Sequence, residues 1–285
     1  MALYLGCSVW GLKEWVGGFF PSGTPSGEFL HTYSRRLNMV EGNTTLYAMP
    51  QPDLMRRWRD DTPEGFRFCF KFPRAISHEK MLLSCIEETR QWVSLLRLLG
   101  DRAGPSFLQL PPAFGPDRYP ILAEYLSHLP SDLRFAVEAR HPGWFRREAE
   151  ERLDSLLAER GIARVIYDVR GLRAADPSDP SVRKAQEKKP NLPVHVVRTA
   201  PFTLVRIISH PEIGENRELL DEWAERTAAW LNSGDDIYFC MHNKEDVKAP
   251  ALCRDFHQRV ERRIALPSLP NWQSSPLNKQ LSLFG

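Results

Sequence analysis

Apolar residues fall into two alternating kinds of segment. Short, nearly continuous apolar runs occupy Leu3–Val9, Asn38–Gly42, Phe66–Phe72, Ser106–Leu110, Arg134–Val137, Ala163–Tyr167, Thr203–Ile208 and Asp236–Met241. Several are apolar at almost every position, the pattern of parallel strands buried on both faces. Between them the apolar spacing turns helical. Glu28–Leu37 presents Phe29, Leu30, Tyr33 and Leu37, and Met81–Leu99 presents Leu82, Cys85, Ile86, Trp92, Val93, Leu96 and Leu99. Further helices are expected over Asp53–Arg59, Asp117–Leu129, Arg146–Arg160, Asn216–Asn232 and Val247–Arg263, with Gly100 and Gly161 placed as helix-terminating glycines.

Eight strand–helix units of this size predict a single (β/α)8 TIM-like barrel, an α/β fold of about 250 residues, over residues 1–263. A doubly wound sheet is the alternative, but neither its G-x-G-x-x-G turn nor a P-loop is present. One interval breaks the rhythm. Asp168–Ala200, rich in proline and carrying the charged stretch Arg183–Lys189, reads as a long loop after the sixth strand with at most one short helix. The charged stretch reads as a solvated face. Residues 264–285, with Pro267, Pro270 and Pro276 among serines, read as a flexible tail.

Composition narrows the classes without naming one. The 285 residues carry 38 Lys and Arg against 36 Asp and Glu, a net charge of +2, so no general polyanion-binding surface shows in the totals. No apolar run is long enough to span a bilayer. The apolar start has no basic leader and reads as a strand rather than a signal peptide. Five cysteines (Cys7, Cys69, Cys85, Cys240 and Cys253) without a C-x-x-C pair point to reduced thiols and a cytoplasmic location.

In a parallel barrel the reactive residues gather where the strands end. Nearly every run delivers a polar group there. The catalytic candidates are Glu41, Lys71, Glu138, His141 and Asp168, which offer carboxylates, an amine and an imidazole for acid–base work. Trp10, Asn43, Tyr47, Gln109, Arg140, Trp144, Arg206, His242 and Asn243 are the candidates for binding substrate. Lys71, Arg140 and Arg206 suit a phosphate or carboxylate, since Arg binds either bidentately. The aromatics would wall the pocket or else pack beneath the loops. A divalent metal on Glu41, Glu138, Asp168, His141 or His242 is conceivable, but no close ligand spacing supports it and salt bridging is favoured. Glu41 and Glu138 also suggest a glycosidase pair, a reading their separation decides.

Several segments together resemble one family. Leu5-Gly-Cys-Ser-Val-Trp10, Val40-Glu-Gly-Asn-Thr-Thr-Leu-Tyr47, Phe66-Arg-Phe-Cys-Phe-Lys-Phe-Pro73, Ile76-Ser-His78, Leu108-Gln-Leu-Pro-Pro112, Val137-Glu-Ala-Arg-His-Pro-Gly-Trp144 and Lys189-Pro-Asn-Leu-Pro-Val-His195 are similar to those of the YecE-like proteins. The resemblance implies a TIM-like barrel and supplies no reaction. It departs at Arg206-Ile-Ile-Ser-His210, where relatives continue as an Arg-Phe-His-Gly-like segment, so His210 is not counted as catalytic.

The tail ends in a second resemblance. Gln280, Leu281, Leu283 and Phe284 match the key positions of the bacterial sliding-clamp-binding pentapeptide. A tethered Gln with neighbouring Leu and Phe suits a preformed groove, although the same side chains would also serve to fold back on the barrel. Three functions stand at this stage, in this order. The first is an enzyme acting on an anionic substrate at the strand mouth. The second is an accessory protein of DNA metabolism recruited by its tail to the sliding clamp, and the third is a non-catalytic interaction protein.

Overall fold

The computed structural model describes residues 1–46, 48–270 and 272. Its strands are β1 (Leu3–Cys7), β2 (Met39–Gly42), β3 (Arg67–Phe70), β4 (Ser106–Gln109), β5 (Phe135–Glu138), β6 (Ala163–Arg164), β7 (Ile166–Asp168), β8 (Phe202–Ile208) and β9 (Asp236–His242). Each apolar run therefore holds a strand, and the sixth holds two, interrupted at Val165. Every ladder is parallel. The ladders form two sheets, β3-β2-β1-β9-β8-β7 and β4-β5-β6, and do not run on into a continuous ring. Isolated bridges, Phe68 to Ala103 and Lys71 to Phe107, link the edge of one sheet to the other, and Val165 joins β6 to β7 through the chain.

The helices between strands are α1 (Phe29–Ser34), α2 (Pro52–Asp60), α3 (Ile86–Arg97), α4 (Tyr119–Ser127), α5 (Arg147–Glu159), α6 (Arg170–Ala174), α7 (Pro180–Lys188), α8 (Arg217–Asn232) and α9 (Ala249–Glu261). Two differ from the expected pattern. Residues 81–85 are not helical, because Met81, Leu82 and Ser84 take positive φ values of 47°, 69° and 48°, a left-handed region no helix uses. The long interval after the sixth run holds two helices, α6 and α7, rather than one. Asp179 starts the second by accepting from the backbone N–H groups of Ser181 and Val182. Gly100 and Gly161 behave as expected, with φ of 57° and 62°.

Alternation along each strand sorts side chains onto two faces. The outer face joins the helices in one large apolar cluster, to which α8 contributes Leu220 and Trp223 and α9 contributes Leu252 and Phe256. The inner face carries a smaller cluster: Met39, Cys69, Phe107, Ala136, Ala163, Val165, Leu204, Tyr238 and Cys240, with Tyr4 at its edge. Strands of both sheets contribute to it. At Gly6 the strands lie so close that a Cβ would fall 1.8 Å from the Met39 carbonyl oxygen and 2.9 Å from the Tyr33 hydroxyl. That hydroxyl donates to Met39 O and accepts from Cys7 N–H, which ties β1 to β2.

All five thiols are free and buried. The chain after α9 corrects the expectation of a tail flexible from residue 264. Ile264, Leu266 and Leu269 pack on the outer cluster. Trp272 is buried beneath the Arg254 guanidinium, 3.9 Å above its ring, with Phe19 edge-on. The packed part therefore reaches at least Trp272. Gln280, Leu281, Leu283 and Phe284 lie outside the described residues. Among the described residues no helix is long and apolar enough to cross a membrane.

Candidate functional site

Two residues beyond the inner apolar cluster, the same face turns polar. Counting in twos along the strands, Met39 leads to Glu41, Cys69 to Lys71, Phe107 to Gln109, Ala136 to Glu138 and Arg140, Val165 to Tyr167, Leu204 to Arg206, and Cys240 to His242. The strands are parallel, so all these groups stand at their C-terminal ends, together.

Arg206 is the centre. It donates through Nε and Nη2 to the two oxygens of Glu41, each at 2.7 Å, and through Nη1 to Glu138. Glu138 also accepts from Arg140 Nε, and Arg140 Nη2 reaches Gln109 Oε1 at 3.3 Å. His242 Nε2 lies 3.0 Å from Glu41 and 3.3 Å from Arg206 Nη2. Lys71 Nζ stands 3.9 Å from Glu41 Oε1, too far for a hydrogen bond. The Arg140 guanidinium lies over the Tyr167 ring at 4.3 Å, and that of Arg206 over Phe107 at 5.0 Å. Arg206 and Glu138 are sealed from solvent, Glu41 nearly so; Arg140 is buried as well, and Lys71 keeps 12% of its side chain exposed.

Burial alone would discharge these groups; their mutual attraction reverses that. Desolvation raises the pKa of Glu138, but Arg140, Arg206 and Lys71 outweigh it and hold it at about 2. Glu41 is likewise buried and is held well below the carboxylate range by Arg206 and His242. Burial opposes the charge of Arg206, yet Glu138 and Glu41 push its pKa upward. His242 is lowered, since burial exceeds the pull of Glu41. Lys71 falls to about 8 because burial and the Arg206 charge outweigh the two carboxylates. Its amine therefore gives up its proton more readily than that of an ordinary lysine.

Four positions missing from the sequence reading belong to this end. Tyr167 is one; its buried hydroxyl has no hydrogen-bond partner among the described residues, an unusual state for such a group. Lys189, just after α7, is depressed by burial and by the charges of Arg206 and Arg140, so it feels the same cluster. It sits at the end of the stretch read as a solvated face. His78 is lowered by burial and then by Arg74, Lys71 and Arg140. It lies on a π-helical turn, Ala75–Glu79, with Ser77 Oγ 2.7 Å from its Nδ1; such turns recur at functional sites. Cys240 Sγ stands 3.5 Å from His242 Nε2.

Other predicted residues face elsewhere. Asp168 is one step out of phase. It points to the outer face, where it accepts from Arg170 and from Trp223 Nε1 at 2.8 Å. Asp168→Asn is therefore expected to cost about 2 kcal/mol of stability through weakened charge-assisted bonds, which urea unfolding of the two proteins checks. His141 is also out of phase with Arg140 and caps the turn Pro142–Phe145 by accepting from Gly143 N–H. Trp144 is fully buried in the outer cluster and donates to Phe114 O. Trp10 packs edge-on against Trp58 and Phe68, also on the outer side. Asn243 anchors loops by donating to Ser209 Oγ and His210 O. Asn43 donates to Ser8 O, and its Oδ1 is buried without a partner among the described residues. Tyr47 lies outside the described residues.

The carboxylate pair does not divide into an acid and a base. Glu41 and Glu138 clamp one guanidinium and both stay ionised, whereas a glycosidase acid needs a raised pKa. Nor does the donor set favour a metal. Glu41, Cys240 and His242 offer ligand atoms within 4.8 Å of one another, but Arg206 already takes both oxygens of Glu41. Burial also holds the Cys240 thiol well above its ordinary pKa, which opposes the thiolate a metal needs.

Comparison with known proteins places this architecture. The family model described as "Protein of unknown function DUF72" matches residues 4–274. The UPF0759 protein YecE of Escherichia coli strain K12 is 38% identical over 277 residues, covering 95% of this chain and 99% of its own. The UPF0759 protein YunF of Bacillus subtilis strain 168 is 23% identical over 197 residues, 67% of this chain and 68% of its own. Among solved structures, a DUF72 family protein from Enterococcus faecalis V583 superposes with a TM-score of 0.69 at 16% identity, covering 99% of this chain and all of the other. A DUF72 family protein from Thermotoga maritima MSB8 gives 0.66 at 22% identity, covering 92% and 100%. At such identities the structural likeness speaks for the fold alone.

Proposed function

The chain belongs to the DUF72 family, and from that premise, which brings a fold and no reaction, we propose that it is an enzyme. It binds a small phosphate- or carboxylate-bearing molecule at the C-terminal ends of the strands and carries out proton transfer there. One observation carries the reading: among the described residues Lys71, Arg140, Lys189 and Arg206 share the site with two carboxylates, Glu41 and Glu138. Arg206 is consumed by those carboxylates. The remaining positive charge, on Lys71, Lys189 and part of Arg140, calls for an anion. A buried ion network is costly to assemble and contributes little net stability, so its placement at the strand mouth argues for use rather than for support. Glu41 and Glu138 act as positioning groups that hold Arg206 and Arg140. Lys71 is the proton-transfer group.

The same reading takes the two sheets as parts of one TIM-like barrel. The inner cluster shared by strands of both sheets and the isolated bridges Phe68 to Ala103 and Lys71 to Phe107 support it. Recruitment to a sliding clamp through Gln280, Leu281, Leu283 and Phe284 stays a separate proposal carried by the sequence. Loss of clamp binding on deleting residues 280–285 is its test.

For the anion site, calorimetric titration with inorganic phosphate is expected to show one site in the purified protein. Lys189→Gln should weaken it by about tenfold, the worth of one charge-assisted hydrogen bond. Absence of binding by both phosphate and malonate would remove the reading.

A further inference from the structure

Lys71, like Lys189 and unlike Arg206 and Arg140, has no side-chain hydrogen-bond partner among the described residues, and its Nζ stands beside a carboxylate of the cluster. Arg206 is spent on Glu41 and Glu138, while Arg140 gives Glu138 only its Nε. Glu41, the nearest acceptor to Lys71, is engaged by Arg206 and approached by His242, and it remains 3.9 Å away. The amine is thus close to a carboxylate without being captured by it. Its side chain is only 12% exposed, so it lies within the mouth rather than over it.

Its base is held firmly. The Lys71 N–H donates to Gly42 O, and its carbonyl accepts from Thr45 Oγ1 at 2.8 Å. The next residue donates to Phe107 O at 3.0 Å. A reactive group on so fixed a strand end keeps its direction. Around it stand the Phe107 ring, 5.7 Å from Nζ, and further cations. A desolvated lysine beside other positive charges is the setting in which an amine becomes a nucleophile. Tyr167, buried on the same inner face beneath the Arg140 guanidinium, brings a hydroxyl with nothing to bond to among the described residues.

We propose that Lys71 forms a Schiff base with an aldehyde or ketone whose phosphate or carboxylate is held by Arg140 and Lys189. The proposal rests on the anion site above and adds to it the identity of the reacting group. The lone pair of neutral Nζ attacks the carbonyl carbon, and the carbonyl π pair moves to oxygen. That oxygen takes a proton while Nζ loses one, giving a carbinolamine. Departure of its hydroxyl with a further proton, taken from solvent, leaves the iminium and one water. No oxidant, reductant or metal is needed. The iminium then withdraws electrons from the neighbouring carbon, which makes proton removal or C–C cleavage there the reaction class served.

The full-length protein is incubated with pyruvate or glycolaldehyde phosphate, reduced with borohydride, and mapped by peptide mass spectrometry. One adduct per chain, on Lys71, is expected, with protection by excess inorganic phosphate. Lys71→Arg keeps the charge and should lose the adduct while still binding phosphate. Phosphate binding without any Lys71 adduct from either probe overturns the Schiff base and leaves the anion site standing. An adduct on Lys71 that phosphate does not protect supports the nucleophile and removes the anion site. Labelling spread over surface lysines, with Lys71 no more reactive than they, overturns the proposal.

Discussion

Replacing Arg206 with methionine is expected to lower the free energy of unfolding by about 3–5 kcal/mol, the cost of leaving buried carboxylates without their partner. In a chain of this size that is a fall of roughly 10 °C in melting temperature. Glu41 loses both charge-assisted hydrogen bonds from the guanidinium, and Glu138 loses one of two. Neither carboxylate has solvent to turn to, since both are almost fully buried. The triple variant Glu41→Gln, Glu138→Gln, Arg206→Met should recover much of the loss, because it removes the stranded charges as well as their partner. Chemical denaturation of the three proteins is the measurement. A single Arg206→Met variant as stable as the parent would mean that the network carries no such strain.

Acid should expose the same network from the other side. Glu138 is held at about 2 against an ordinary value near 4.5, a difference worth roughly 3 kcal/mol. Its folded pKa lies below its unfolded one, so the unfolded chain binds the proton first. The contribution is complete above about pH 4.5, declines as pH falls toward 2, and is gone below that. Glu41 shifts in the same direction and adds to the slope. Stability measured by denaturant between pH 6 and pH 2.5 should therefore fall steeply in its lower half. Glu138→Gln starts lower and should show a flatter profile. Parallel profiles for the two proteins would show that this carboxylate does not govern acid unfolding.

Glu41, Lys71, Gln109, Glu138, Arg140, Arg206 and His242 could be read from the chain because each lies late in an apolar run or just after it, and parallel strands bring such ends together. Asp168 and His141 obeyed the same rule and yet face elsewhere. A strand buried on both faces gives no polar–apolar alternation, so its phase is invisible in the sequence. A one-residue step moves a side chain to the opposite face, and that step separates Tyr167 from Asp168 and Arg140 from His141. The aromatics failed for a related reason. Trp10 and Trp144 follow strand ends, but the outer cluster offered them more apolar surface than the charged mouth did.

What the sequence determined by itself is the alternation of strand and helix, hence an α/β chain of parallel strands with its polar groups collected at one end. Local periodicity carries that information, and each element needs only its own residues to express it. The tertiary structure alone decided which of those groups meet. Arg206 finds Glu41 across 165 positions and Glu138 across 68, and Lys189 enters from a loop the charge pattern assigned to solvent. The ionisation of each follows from the charges the others bring. Lys71 is left without a hydrogen bond to Glu41 because Arg206 takes both oxygens of that carboxylate.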